Sequence, residues 1–313
     1  MLISLSAILF SPSLISDNIS TTATSPSSSP LRYVSLNEEF TNRSAPLGEK
    51  QDLLTKDFQN LIRNQVTLIF SQMFSEIDNG YTNRELGLQY DFPNGWKGTL
   101  INQANSLIVS PPGVNVTTYM INATENALYS LIFSVDMSGK DMTQEIFQNA
   151  INSVLGEVFQ NLEQLGPTIS VSAMSNDSIK SFQNLSGIEP PTDSLASIWY
   201  EYTFSIMSQM VGNLTEGTQP LGGNKIQSIN HSEINGIPTE ISVIETELPQ
   251  SEEHYKTLSY LFLTPDNLIN IEYSADMGSY EKYRSEFENS IRSINLTNPS
   301  IINEQNIKQF TGP

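Results

Sequence analysis

Between Tyr81 and Trp96 the chain changes its periodicity, and that change constrains the fold more than any other feature. Leu86, Leu88, Tyr90 and Phe92 fall at every second position, and Pro93-Asn94-Gly95 turns the chain into Trp96. A period of two sends alternate side chains to opposite faces of a strand, so the apolar set must meet a core on one side. Upstream the period is different. Leu53, Leu54, Phe58, Leu61, Ile62, Val66, Ile69, Phe70, Met73 and Ile77 recur at three and four residues, which predicts an amphipathic helix over 51–78. Asp78-Asn79-Gly80 ends it.

Downstream the strand signal recurs. Short runs at 106–110 and 114–121 precede a clean alternation of Tyr129, Leu131, Phe133 and Val135. The strongest helical stripe follows from Met142 to Leu165, opened by Asp141 with Gln144 as a capping box and closed by Gly166-Pro167. A strand at 169–174 comes next, then a loose stretch through Pro190-Pro191 that reads as an insertion. Ile198, Tyr200, Tyr202, Phe204 and Ile206 alternate with polar residues and predict a long strand. Asn235-Gly236 is a tight-turn signal between runs at 225–232 and 237–243. Runs at 258–263 and 268–274 flank Thr264-Pro265-Asp266-Asn267, and Tyr280, Tyr283, Phe287 and Ile291 share a helix face. Helices separated by hairpin-linked strands predict an α+β fold with a central antiparallel sheet and two main packing helices, 142–165 and 279–291.

The chain divides into a signal-like apolar segment at 1–16, a disordered linker of Ser, Thr, Pro and Asn at 17–50, the helix at 51–78, the folded domain at 81–296, and a polar tail at 297–313. The apolar start, MLISLSAILF, is too short to span a bilayer and resembles the apolar core of a signal peptide. The helix at 51–78 is interrupted by Lys56, Asp57, Arg63 and Asn64, so no membrane span is expected in the mature chain. Asp and Glu number 34 against 15 Lys and Arg, a formal net charge of −19 with only 16% charged residues. Such a surface repels phosphate backbones and lacks the polybasic clusters that hold proteins to anionic lipid, so no nucleic-acid partner is expected. With so few charges in total, the polar surface is built largely from Ser, Thr and Asn, which suits an extracytoplasmic, secreted or cell-surface location. The absence of cysteine removes disulfides and thiolate chemistry. Sequons stand at Asn115, Asn122, Asn176, Asn184, Asn213, Asn230 and Asn295 within the domain, and serve as glycan acceptors if the chain is exported.

No phosphate-binding, dinucleotide-binding, zinc-protease or nucleophile-elbow motif occurs. A Ser-His arrangement could use only His231 or His254, and surface exposure is the expected state of both. Glu245, Glu247, Glu252, Glu253 and His254 cluster around Pro249. Carboxylate oxygens at that density could take Ca²⁺ or Mn²⁺, though their spacing follows no calcium-binding loop. Paired acids of a glycosidase would need a cleft between them, and Asp91, Asp136 and Glu201 are the carboxylates expected within strands. Trp96 and Trp199 are expected in the core.

Tyr81, Glu85, Gly87-Leu88, Tyr90, Pro93 and Gly95-Trp96 resemble the opening hairpin of PsbP-like domains. Asn235-Gly236-Ile237-Pro238 is similar to that family's central N-G-x-P element, and Tyr260 to Leu296 to its closing hairpin and helix. The resemblance covers 81–296, with insertions expected near 175–195 and 207–225. It implies an α/β/α sandwich shared with Mog-type Ran-binding proteins, and a non-enzymatic extracytoplasmic protein that docks on a larger assembly. The plant members are linked to calcium and manganese, but no histidine of theirs carries over to a position here. The expectation is therefore an exported, non-catalytic binding or accessory module with a protein partner and no cofactor. The alternatives are a secreted hydrolase or carbohydrate-acting enzyme with an unidentified site, or a Ca²⁺- or Mn²⁺-binding accessory protein using 245–254.

Overall fold

The computed structural model describes residues 74–101, 106–122, 166–186, 193–203, 224–247 and 254–312, together with helical positions 60, 63, 64, 67 and 71. The leader, the strand expected at 129–135, the helix expected at 142–165 and most of the stretch at 207–225 lie outside the described residues.

Eleven strands are described: β1 (Phe74–Asp78), β2 (Gly80–Asn83), β3 (Leu88–Asp91), β4 (Lys97–Ile101), β5 (Ser106–Ser110), β6 (Thr168–Ser175), β7 (Asn224–Ile234), β8 (Ile237–Glu247), β9 (His254–Leu263), β10 (Asn267–Asp276) and β11 (Asn295–Leu296). The helices are α1 (116–122), α2 (Asn176–Ser186), α3 (195–203), α4 (Tyr280–Ile291) and α5 (Glu304–Thr311). Eight strands form one sheet in the order β1-β4-β5-β6-β10-β9-β8-β7, and β11-β3-β2 form a second. Every pairing is antiparallel. The mixed fold dominated by an antiparallel sheet is the one expected.

The hairpins follow from local chemistry. Asn235 (φ 52°) and Gly236 (φ 76°) both take the left-handed backbone that a two-residue turn between twisted strands requires. The Asn235 amide also donates to the carbonyls of Arg292 and Ile294, which ties this turn to the end of α4. The Tyr81–Trp96 stretch forms the β2–β3 hairpin of the small sheet, and β11 pairs with β3, so the beginning and end of the domain meet there.

One face of the large sheet is apolar. Leu258, Tyr260, Phe262, Ile269, Ile271, Tyr273, Ile169 and Val171 pack with Tyr280, Phe287 and Ile291 of α4 and with Tyr81, Leu88 and Tyr90 of the small sheet. Phe287 is fully buried, its ring centroid 5.6 Å from Tyr260 and 5.5 Å from Tyr273. A second cluster lies apart from the first. It gathers Met174, Ile244, Leu261, Leu263 and Leu268 of the strands with Ile179 of α2, Trp199 of α3, and Ile307 and Phe310 of α5.

Several elements depart from the sequence reading. Phe74–Asp78 is strand β1, paired with β4, so the amphipathic helix stops short of its expected end. The run 114–121 is helix α1, because the Asn115 side chain accepts the Thr118 N–H and caps a turn that buries Val116 and Met120. The expected insertion near 175–195 holds α2 and the start of α3, with the Ser175 hydroxyl accepting the Ser178 N–H. The expected strand at 198–206 is helical through 203. Leu195, Ala196, Trp199, Tyr200 and Thr203 recur at helical spacing and are buried, as is Ile198, whereas Tyr202 of the same alternation is only half-buried.

The tail is structured too. Asn303 accepts the Asn306 N–H and opens α5, which buries Ile307 and Phe310. Ending the chain at Ile302 should therefore destabilise it by about 3 kcal/mol, as two apolar side chains lose their burial. Urea denaturation followed by circular dichroism checks this, and an unchanged midpoint would mean that the tail is dispensable.

Gly98 allows β4 to approach its neighbours. A Cβ there would lie 2.7 Å from Ile77 Cγ1 and 2.8 Å from two ring atoms of Phe92. Gly98→Ala is expected to cost about 2 kcal/mol through overpacking, read as a lower thermal midpoint.

Candidate functional site

The chemistry-bearing residues of the described chain converge on the second face of the sheet, beneath α3. Strand register sets Ser242 of β8, Ser259 of β9, Glu272 of β10 and Ser170 of β6 in one row. A parallel row holds Glu240, Leu261, Asn270 and Ser172. All eight are fully buried. An antiparallel sheet with polar residues at every second position ordinarily turns that face to water. Here it is covered, and its polar groups must find partners inside the protein.

Glu240 finds them at the N-terminus of α3. Its Oε2 accepts the Leu195 N–H at 3.1 Å and its Oε1 the Ala196 N–H at 2.7 Å. Ser194 accepts the Ser197 N–H at 3.0 Å, so three of the donors that a helix start leaves unpaired are satisfied. The partial positive charge of that terminus favours a carboxylate. From the other side His231 Nε2 approaches Glu240 Oε2 at 3.1 Å, with the imidazole 62% exposed and the carboxylate wholly enclosed.

Glu272 anchors the middle of α3. It accepts from the Tyr200 hydroxyl at 3.2 Å, the Ser170 hydroxyl at 3.2 Å and the Asn270 amide at 2.8 Å. The Ser259 hydroxyl donates in turn to Asn270 Oδ1. Burial, and then the charge of Glu272, push the Tyr200 hydroxyl well above its ordinary range, so it remains a proton donor. Thr203 donates to the Trp199 carbonyl one turn earlier in α3. Ser172 and Ser242 are the only buried hydroxyls of the two rows without a partner.

This arrangement clamps a helix to a sheet. Each acid accepts from donors of the chain's own fold. Sequence reasoning missed both, since it placed the in-strand carboxylates at Asp91, Asp136 and Glu201. Asp91 does lie in β3, Glu201 is exposed on α3, and Asp136 lies outside the described residues. The usable signal was the Thr-Asp-Ser triplet at 192–194, a helix-start pattern that the alternation at 198–206 obscured.

The described members of the suggested cation set, Glu245, Glu247 and His254, lie on the β8–β9 strand pair. Glu245 on β8 faces Lys225 of β7 and Lys256 of β9 in register, and accepts from the Gln227 amide at 2.7 Å. Glu247 pairs with His254 across the β8–β9 ladder, while Glu252 and Glu253 lie outside the described residues. Among the described residues no group of three or more such side chains is arranged to hold a metal ion. With two lysines beside Glu245, that carboxylate is expected to contribute nothing to metal binding, so Glu245→Gln should leave the heat of calorimetric titration with Ca²⁺ or Mn²⁺ unchanged. A saturable heat lost in Glu245→Gln would contradict that.

Of the sequon residues, Asn115, Asn122, Asn230 and Asn295 are exposed and Asn176 is half-buried. Asn184 lies in α2, and Asn213 lies outside the described residues. Trp96 and Trp199 are both core residues, Trp96 donating from its indole to Glu286 at 2.9 Å. Among the described residues no helix is long and apolar enough to cross a membrane.

No protein-family model matches the chain, and no curated protein matches it significantly. Among solved structures it is similar to the solution structure of cyanobacterial PsbP (CyanoP) from Synechocystis sp. PCC 6803. That likeness has a TM-score of 0.34 and 12% identity, over 72% of this chain and 93% of the other. A likeness of that degree says nothing about activity or partner.

Proposed function

We propose that this chain is an exported, non-catalytic accessory module, a PsbP-like α/β/α sandwich that docks on a protein partner at the cell surface or membrane periphery. The observation that supports this best is the use made of the buried acids. Glu240 and Glu272, the fully buried carboxylates among the described residues, spend their acceptor capacity on Leu195, Ala196, Tyr200, Ser170 and Asn270. A catalytic acid must instead present an oxygen to a substrate. The resemblance of 81–96, 235–238 and 260–296 to PsbP-like domains supports the same reading, as does a net charge that disfavours nucleic acid and anionic lipid.

The test is fractionation of the source cells, followed by gentle solubilisation and light scattering of the purified chain. The expected result is recovery outside the cytosol, in a stoichiometric complex heavier than the 34.8 kDa of the chain alone. Recovery as a cytosolic monomer would overturn the proposal. So would hydrolytic turnover that disappears with one carboxylate.

A further inference from the structure

We infer that the partner is held by strand addition at the outer edge of β7, which no described strand pairs, and that the segment it contributes is extended and cationic. This assignment rests on the docking-module reading and gives it a surface. Among the described residues β7 ends the eight-stranded sheet, and at eleven residues it is more than twice the length of β1 at the opposite edge. Its ladder with β8 is irregular only between Ile226 and Ser228. From Ser228 to Ile234 the pairing is unbroken, which leaves an outer edge of seven residues without a bulge. Lys225 and every residue from Gln227 to Glu233 are exposed.

An edge strand offers unpaired N–H and C=O groups, and proteins usually blunt such edges with proline, central bulges or short length. This edge has no proline, its one bulge lies toward its beginning, and the sequon residue within it, Asn230, pairs with Ile241 and so projects on the face opposite Ile229 and His231. Main-chain pairing with an extended peptide is the binding that such an edge supports, while side chains beside it set the choice of peptide.

Those side chains define the occupant. Ile229, His231 and Glu233 pair with Ser242, Glu240 and Pro238, so they project on the α3 side of the sheet. Ile229 is 37% exposed, an apolar side chain at the rim. Glu233 is the only formally charged residue within 228–234, and Lys225 lies beyond the bulge. A strand that continues the antiparallel order would place a basic residue opposite Glu233 and, four residues later, an apolar one opposite Ile229. A second copy of this chain fits poorly, because each copy carries a net charge of −19.

The experiment titrates the full chain with the capped peptide Thr-Lys-Thr-Val-Thr-Val-Thr, while amide hydrogen exchange is followed residue by residue. At saturation, alternate amides of 228–234 are expected to exchange about tenfold more slowly. The analogue with Glu in place of Lys should bind about tenfold more weakly, and Glu233→Lys should reverse that preference. Protection absent at millimolar peptide, protection away from β7, or equal binding of the two peptides would overturn the assignment. Concentration-dependent self-pairing of β7 would do so as well. If a complex from the source cells forms while β7 amides exchange as in the free chain, the edge assignment fails and the docking reading stands. If no complex forms at all, both fail.

Discussion

Glu240→Ala is expected to destabilise the protein by about 4 kcal/mol, because two buried N–H donors are left unpaired at once. The donors are those of Leu195 and Ala196, and truncation to alanine provides no other acceptor within the enclosed rows of the sheet. His231, 62% exposed, can turn to water and adds little to the loss. Glu240→Gln keeps one carbonyl oxygen and points an amide donor at the other N–H, so it should recover only part of the difference. Urea denaturation of the wild type and the two variants checks the order. A Glu240→Ala variant as stable as wild type would mean that the carboxylate is not what holds α3 in place.

The second large effect lies on the other face. Phe287→Ala should cost about 4 kcal/mol, the transfer energy of the ring plus the cavity left between α4 and the sheet. Phe287 is fully buried and stands between the Tyr260 and Tyr273 rings. Aromatic pairs of this geometry add to the loss beyond their buried area. Phe287→Leu retains most of the volume and should lose much less. Equal midpoints for the alanine variant and wild type would contradict the assignment of this face as the main apolar core.

The contrast between the two faces explains what the sequence made legible. The turn at Asn235-Gly236 was readable because few residue pairs accept positive φ at both positions. Strands 237–243, 258–263 and 268–274 were readable because most of their apolar members face one core, with Leu261, Leu263 and Leu268 turned to the second cluster, and α4 because its apolar stripe meets that first core. Helix α3 was not. Its stretch carries two periods at once, and only the docking of Trp199 beside Ile244 and Leu261 decides between them. Helix α5 carries just two large apolar anchors, Ile307 and Phe310, too few to announce a helix in a polar tail.

The candidate site was hidden for a related reason. Ser170, Ser172, Ser242, Ser259, Asn270 and Glu272 look like the solvated half of ordinary alternating strands. Their burial depends on a helix whose own signal was ambiguous. The acidic cluster at 245–254 drew attention instead because its residues are adjacent in sequence. In the sheet its described members are spaced along two strands and interleaved with lysine.

The buried acids hold α3 to the sheet. Native-state hydrogen exchange at Leu195 and Ala196, in wild type and in Glu240→Ala, tests this most directly. The account predicts that both amides are protected in the wild type and exchange at least about tenfold faster in the variant. Amides of the central β9–β10 ladder should then retain more of their protection than the α3 amides. Identical exchange at Leu195 and Ala196 in the two proteins would contradict it, because Glu240 would then be free of the helix and available for other chemistry.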